Sequence, residues 1–100
     1  MDSSNSINYH KLFNGLSYLL NSLKPFFSDL SEKELQCLFL HSVGVKRACI
    51  AEQMKIRPHS VGSCLGRVAD KLETTPEQLP LIYHTRVLSS VLMSVPHLPG

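Results

Sequence analysis

The residues best suited to chemistry in this 100-residue chain are basic side chains concentrated in its middle. The segment from Gly44 to Lys71 carries a charge of +4, and the remainder of the chain carries −2. Its basic residues are Lys46, Arg47, Lys55, Arg57, Arg67 and Lys71. Clustered positive charge on a nearly neutral protein indicates a local surface for a polyanion. Ordinary solvated helix faces give a similar pattern, and charge alone favours that simpler interpretation.

Histidine and cysteine residues raise the question of a metal site or a catalytic thiol. The chain has five His and three Cys but no Cys-x-x-Cys, His-x-x-x-His or His-Glu-x-x-His spacing. No sequence feature places a histidine beside Cys49, as thiol catalysis requires. We therefore expect no enzyme, no bound metal and no cofactor. The odd number of cysteines, each within an apolar pattern, predicts reduced thiols in a cytosolic protein, with Cys64 packed in the core.

The spacing of apolar residues predicts an all-α fold, because leucines and valines recur at steps of three and four and no segment alternates with period two. The length fits one domain over residues 7–94, preceded by a disordered segment 1–6 and followed by a tail 95–100. The charge-free stretch 12–23 is too short to span a membrane. The expected elements are an N-terminal helix over 7–24, a helix-turn-helix core over 30–72 and a C-terminal helix over 76–93.

Several local signals set the expected helix boundaries. Pro25 should force the preceding residue out of the helical region, with Phe26 and Phe27 as hydrophobic plugs in the connection. The residues Ser31-Glu32-Lys33-Glu34 and Thr75-Pro76-Glu77-Gln78 each have the form of a capping box, in which the first side chain and the fourth residue cap the new helix reciprocally. Both segments are therefore predicted to begin helices. Gly44 is predicted to end the first of these helices, because glycine adopts the left-handed C-terminal conformation without cost, and Pro58 is predicted to lie in the first turn of the helix that follows.

The stretch from Leu30 to Leu72 resembles the LuxR-type (GerE-like) helix-turn-helix. The matching positions are Leu30, Ser31, Lys33, Glu34, Cys37, Leu38, Leu40, Gly44, Ile50, Ala51, Met54, Ile56, Ser60, Val61, Val68, Lys71 and Leu72. The match is ungapped, although sigma-factor region 4 shares much of the pattern. The chain departs from the family at Arg57, where a serine is usual, at Gly62 for a lysine that commonly faces DNA, and at Cys64 for a histidine. Arg47-Ala48-Cys49 replaces the usual Asn-Lys-Glu.

The resemblance implies a small, all-helical bacterial transcription regulator whose second motif helix enters the major groove. An inward stripe at Val61, Leu65, Val68 and Leu72 directs the remaining residues of that helix outward. Glycines on the outward face suggest close approach to DNA or to a partner helix. The expected DNA-binding residues are Lys46, Arg47, Lys55, Arg57, His59, Ser60, Gly62, Ser63, Gly66, Arg67 and Lys71.

The C-terminal helix carries more apolar residues than a single core-facing stripe needs, and the resemblance implies dimerisation through this helix. The expected dimer residues are Leu79, Ile82, Leu88 and Val91. Burial against the N-terminal helix of the same chain is the alternative. The expected function is that of a dimeric, sequence-specific DNA-binding regulator in the cytoplasm, associated with the nucleoid. The second hypothesis is an interaction module that binds another regulator, with a sigma-like partner of RNA polymerase as a further option.

Overall fold

The computed structural model describes residues 15–94, and this part of the chain is entirely helical apart from its turns. In chain order the five α-helices are α1 (Leu16–Leu23), α2 (Glu32–Ser42), α3 (Arg47–Met54), α4 (Pro58–Lys71) and α5 (Leu79–Ser94). Two 3₁₀ segments, Lys24–Phe27 and Pro76–Gln78, lead into α2 and α5. The predicted all-α class is confirmed. The expectations for residues 1–14 and for the tail 95–100 lie outside the described residues.

The core forms where the inward stripes of the helices meet around α2. Leu35, Leu38 and Leu40 of α2 are almost completely buried, as are Val61, Leu65 and Val68 of α4. Helix α1 adds Leu16, Leu20 and Leu23 to the same core, as its leucine spacing predicts. Burying these side chains removes apolar surface from water, which is the main force that holds such a small helical domain together.

Aromatic packing holds α5 against α2 and the first 3₁₀ segment. The Tyr83 ring stacks on Phe27 at a centroid distance of 5.6 Å and meets Phe39 edge-on at 6.0 Å. The Arg86 guanidinium lies 5.2 Å from the centre of the Phe27 ring. At the end of α2, His84 Nε2 lies 3.1 Å from the Ser42 carbonyl oxygen. One face of α5 is therefore fixed within its own chain.

The three helices of the predicted helix-turn-helix all end in the same backbone arrangement. After α2, the N–H of Val45 donates to the Leu40 carbonyl at 3.0 Å while Gly44 adopts a φ of +93°, so the predicted glycine ending is confirmed. The same Schellman pattern ends α3 and α4, but there Lys55 (φ +58°) and Glu73 (φ +57°) occupy the left-handed position. Lys55 and Glu73 thus adopt a backbone conformation that is strained for residues with a Cβ and unstrained for glycine.

Three local predictions are wrong. Lys24, before Pro25, keeps helical angles (φ −51°, ψ −43°), and the chain continues as a 3₁₀ turn because proline is tolerated in a first turn, where its missing N–H is not needed. Phe27 is buried as predicted, but Phe26 is 43% exposed. Thr75 makes no side-chain cap. Residues 76–78 form only a 3₁₀ turn, because Pro80 has no N–H with which to continue an α-helix from residue 76.

Candidate nucleic-acid interface

Helices α3 and α4 follow each other in the chain and are joined by the three-residue turn 55–57. The turn is tight because Lys55 takes the left-handed conformation and Ile56, partly buried, donates its N–H back to Ala51 at 2.9 Å. Pro58 occupies the first turn of α4, as predicted, where its fixed φ favours helix initiation. A short helix, a turn of three or four residues and a longer helix are the elements of a helix-turn-helix motif.

The inward and outward faces of α4 follow the predicted stripe. Val61, Cys64, Leu65, Val68 and Ala69 are buried, which confirms that Cys64 belongs to the core. On the opposite face His59, Ser63 and Arg67 are exposed, with Ser60 and Gly66 partly exposed beside them. A Cβ added at Gly66 would meet no atom within 4 Å, so nothing in the described part of the chain covers that side of α4.

Gly62 lies at the edge of the outward face and not at its centre. A Cβ at this position would come within 3.2 Å of Arg47 Nη1, which places the Arg47 guanidinium directly over the glycine. Arg47 therefore bridges the start of α3 and the first half of α4, although the side chain as a whole stays exposed. Burial, together with the positive charge of Arg47, lowers the pKa of His41 at the end of α2. The close approach that Gly62 permits is thus to a side chain of the same molecule.

Exposed cations flank the beginning of α4. Lys46, Arg47, Lys55 and Arg57 are all exposed, and within residues 15–93 no carboxylate forms a salt bridge with any of them. Lys46 precedes α3 without a side-chain cap, so the first N–H groups of that helix have no side-chain acceptor at this cap. Backbone N–H groups and cations in one place are suited to phosphate oxygens.

Arg67 and Lys71, the two basic residues in the second half of α4, differ from these cations because both lie close to a carboxylate. Lys71 Nζ donates to Glu34 Oε1 at 2.7 Å, and Arg67 Nε lies 3.8 Å from Glu34 Oε2. The Glu34 carboxylate also accepts the Ser31 N–H at 2.9 Å while the Glu34 N–H donates to Ser31 Oγ, which confirms the first capping box. The hydrogen bonds from Lys71 and Ser31 hold the pKa of Glu34 below its ordinary value.

This cluster gives Lys71, one of the residues predicted to contact DNA, a partner within its own chain. Glu34 is only 7% exposed, and a carboxylate so nearly buried needs a compensating charge from its own chain. Lys71 provides that charge, and 44% of its side chain remains exposed. Arg67 keeps 61% of its side chain exposed and remains available on the outward face. Sequence reasoning identified the cap but missed the ion pair, because Glu34 and Lys71 are far apart in the chain and no local pattern links them.

The expected dimer residues on α5 divide between the core and the surface. Leu79 is fully buried within the chain and Ile82 is half-buried, so Leu79 cannot form part of a dimer surface while the domain stays folded. Its burial follows from the 3.6-residue helix period, which places it on the same face as Tyr83. Leu88 and Val91 are exposed, at 59% and 50%.

An exposed apolar surface lies on the outside of α5, opposite the face that packs in the core. Leu81, Leu88 and Leu92 are each about 60% exposed and recur at steps of seven and four, which places them on one helix face. A groove of about 470 Å³ opens beside this face between Phe26 and Met93, with Arg86 and Ser89 in its lining. The sequence analysis missed the groove because it predicted Phe26 as a buried plug.

The described part of the chain lacks the features of a metal site and of a membrane-spanning helix. Among the residues that the structure describes, no group of three His, Cys, Asp or Glu is arranged to hold a metal ion. None of the helices described is both long enough and apolar enough to cross a lipid bilayer. Comparisons with protein-family models, with curated proteins and with solved structures found no match to this chain.

Proposed function

We propose that this protein binds double-stranded DNA through α3, the turn 55–57 and α4, and that it regulates transcription as a helix-turn-helix protein of the LuxR type. The observation that carries the proposal is the combination of an uncovered outward face on α4 with four exposed cations around the start of that helix. The register of residues 30–72, which resembles the LuxR-type motif, supports the same interpretation.

The proposed arrangement places the outward face of α4 in the major groove. His59 and Ser63 present short polar groups there, and Arg67 is long enough to make a bidentate contact with a guanine. Lys46, Arg47, Lys55 and Arg57 then lie on the side of the phosphate backbone, where they fix orientation and contribute no sequence information directly. Asp70 is exposed near the far end of α4, so we expect the DNA contacts of this helix to end at Arg67.

We further propose that the active form is a homodimer assembled through the outer face of α5. The exposed Leu81, Leu88 and Leu92 give a monomer an apolar stripe on a helix whose other face already packs in the core. A dimer with two-fold symmetry would present two copies of α4 to half-sites separated by about one helical turn, roughly 34 Å.

A salt titration of DNA binding tests the proposal. If four cations neutralise phosphates, the logarithm of the binding constant for a random duplex falls with the logarithm of salt concentration at a slope of about −3.6 per protomer. Fluorescence anisotropy with a labelled duplex measures this slope. A well-folded protein that does not bind the duplex at low salt contradicts the proposal.

The exposed stripe and the Phe26 groove favour a second candidate function, an interaction module that binds another regulator instead of DNA. In that case α5 and the groove form the binding surface, and the outward face of α4 has no ligand. The variant Arg67→Ala distinguishes the two functions, because it weakens DNA binding in the first and leaves partner binding intact in the second.

A further inference from the structure

Arg47 and Gly62 lie against each other at the junction of α3 and α4. If Gly62 carried a Cβ, that atom would lie 3.2 Å from Arg47 Nη1, 3.6 Å from Arg47 Cζ and 4.0 Å from Arg47 Nη2. The Arg47 guanidinium therefore lies in the space into which a longer side chain at position 62 would extend. Glycine within a helix lowers helix stability, and at this position its missing side chain leaves room for a side chain of α3.

In the part of the chain that the structure describes, the Arg47 guanidinium forms no hydrogen bond and no salt bridge, and Arg47 is exposed. Arg67 differs, because its Nε lies 3.8 Å from a carboxylate oxygen of Glu34. A guanidinium carries five N–H donors and stays charged at every physiological pH. Arg47 therefore keeps all of its donors and its full charge for an anionic acceptor outside the chain.

The contact with Gly62 places the Arg47 guanidinium at one edge of the outward face of α4. At 3.6 residues per turn, Gly62 lies about 60° around the helix axis from His59, and Arg67 lies about 80° from His59 in the opposite direction. Arg47 and Arg67 thus flank the exposed polar face that carries His59 and Ser63. A helix in the major groove has a phosphate backbone on either side, so the edge at Gly62 would face one of the two backbones.

We propose that Gly62 is a positioning residue for Arg47, and that the guanidinium held over the glycine binds a phosphate oxygen of the DNA backbone beside α4. The inference rests on the proposed DNA-binding function and names the residue that directs one of its phosphate contacts. Ordering an exposed arginine on binding costs conformational entropy. Gly62 lowers that cost, because the guanidinium already lies at the edge of the outward face in the free protein.

The test is the salt dependence of duplex binding by the full chain, measured by fluorescence anisotropy for the wild type, Gly62→Gln, Arg47→Gln and the double variant. Gly62→Gln removes no charge, but its side chain takes the place of the guanidinium. We expect it to weaken binding about tenfold and to reduce the salt slope by about 0.9, as Arg47→Gln does. The double variant should bind no more weakly than Arg47→Gln.

Two further variants separate displacement of Arg47 from obstruction of the DNA. Gly62→Ala should keep most of the affinity, because the end of the flexible Arg47 side chain needs to move only a few tenths of an ångström. Gly66→Gln is the matched control, since no atom of the described chain lies within 4 Å of a Cβ at that position. It should weaken binding by the same factor with Arg47 or Gln at position 47, and it should leave the salt slope unchanged.

A second measurement needs no DNA. The heteronuclear NOE of the Arg47 Nε–H group reports motion on the picosecond-to-nanosecond timescale. In the free wild type this group should show restricted motion, and in Gly62→Gln it should move freely.

Two binding results would overturn the inference and leave the proposed function intact. One is a Gly62→Gln protein that keeps the wild-type salt slope while Arg47→Gln reduces it. The other is a loss of affinity from Gly62→Gln that is equally large in the Arg47→Gln background, because the glutamine itself would then obstruct the DNA. Free motion of the Arg47 Nε–H group in the wild type would overturn the inference without any variant. A folded wild type that does not bind the duplex at low salt contradicts both the inference and the proposed function.

Discussion

Lys71 Nζ lies 2.7 Å from Glu34 Oε1, so the last residue of α4 is joined to the carboxylate that caps the first turn of α2. The Glu34 side chain thus performs two functions. It closes the capping box with Ser31, and it anchors the C-terminal end of α4, the helix that we propose enters the major groove. Anchoring at this end leaves the rest of the outward face of α4, with His59, Ser63 and Arg67, available for the proposed contact with DNA.

We expect Glu34→Gln to lower the free energy of unfolding at pH 7 by about 2 kcal/mol, since the change removes a charged hydrogen bond and leaves Lys71 without its partner. The control Glu32→Gln should change it by at most about 0.5 kcal/mol, because Glu32 is largely exposed and its nearest cation, Lys24, is 3.9 Å away. Urea unfolding of both variants measures the difference. Equal effects would mean that the Glu34 cluster does not anchor α4.

The Glu34 carboxylate makes the free energy of unfolding depend on pH, and the direction of its pKa shift gives the sign of that dependence. The pKa of Glu34 is lowered in the folded state, so its contribution to stability is complete above the pKa of the unfolded chain and is lost as the pH falls through the lower folded value. The wild type should therefore lose more stability than Glu34→Gln below about pH 4.5. Parallel pH profiles of the two proteins, measured by urea unfolding, would contradict this assignment.

The left-handed residues Lys55 and Glu73 predict an unusual response to glycine. Glu73→Gly should stabilise the domain by about 0.5 kcal/mol, because the strain of a positive φ exceeds the added entropy of the unfolded chain. Glu52→Gly removes the same charge from within α3 and should destabilise by about 1 kcal/mol. Thermal unfolding of the pair should show melting temperatures that move in opposite directions; a fall in both would contradict the Schellman ending of α4.

A substitution at Gly66 should change folding stability and DNA affinity in opposite directions. Gly66→Ala should raise the free energy of unfolding by about 1 kcal/mol, because alanine favours the helix and its Cβ meets no atom of the described chain within 4 Å. The same methyl group lies on the face that we propose approaches DNA, so affinity for duplex should fall while stability rises. Stability gained without any loss of affinity would place the DNA-facing surface elsewhere.

The buried and exposed faces of α5 predict different outcomes for the same substitution. Leu79→Ala should cost about 3 kcal/mol of folding stability, because it opens a cavity in the core. Leu88→Ala should leave the monomer fold nearly unchanged but weaken self-association by about tenfold or more, since Leu88 lies on the outer stripe. Sedimentation equilibrium measures the second effect. A dimer unaffected by Leu88→Ala would exclude this face as the interface.

Sequence reasoning succeeded where a local pattern decides the structure. The leucine and valine spacing predicted the inward faces of α1, α2 and α4, and the Ser31–Glu34 box and Gly44 predicted the ends of α2. It failed where a contact between residues far apart in the sequence decides the structure. The predicted cap at Thr75 ignored Pro80, and no local pattern shows the ion pair of Lys71 with Glu34, which forms only when α2 packs on α4.

The surfaces to which we assign a proposed function were the least predictable part of the structure. Phe26 and Phe27 are adjacent and chemically identical, yet only Phe27 meets the Tyr83 ring, and Phe26 is left at the edge of a groove. Gly62 and Gly66 looked equivalent in the sequence, yet Arg47 covers one and the other is uncovered. In each case the distinction arises from a helix elsewhere in the chain, which a local sequence pattern does not contain.

The central claim is tested most directly by the affinity of the full chain for duplex DNA when a single charge is removed at either end of α4. Arg57→Gln removes an exposed cation at the start of α4, and Lys24→Gln removes one beside Glu32, near the opposite end of that helix. We predict that Arg57→Gln lowers the affinity and reduces the salt slope by about one unit, while Lys24→Gln leaves both unchanged. Equal losses in the two variants, or no loss in either, would contradict DNA binding through α3, the turn and α4.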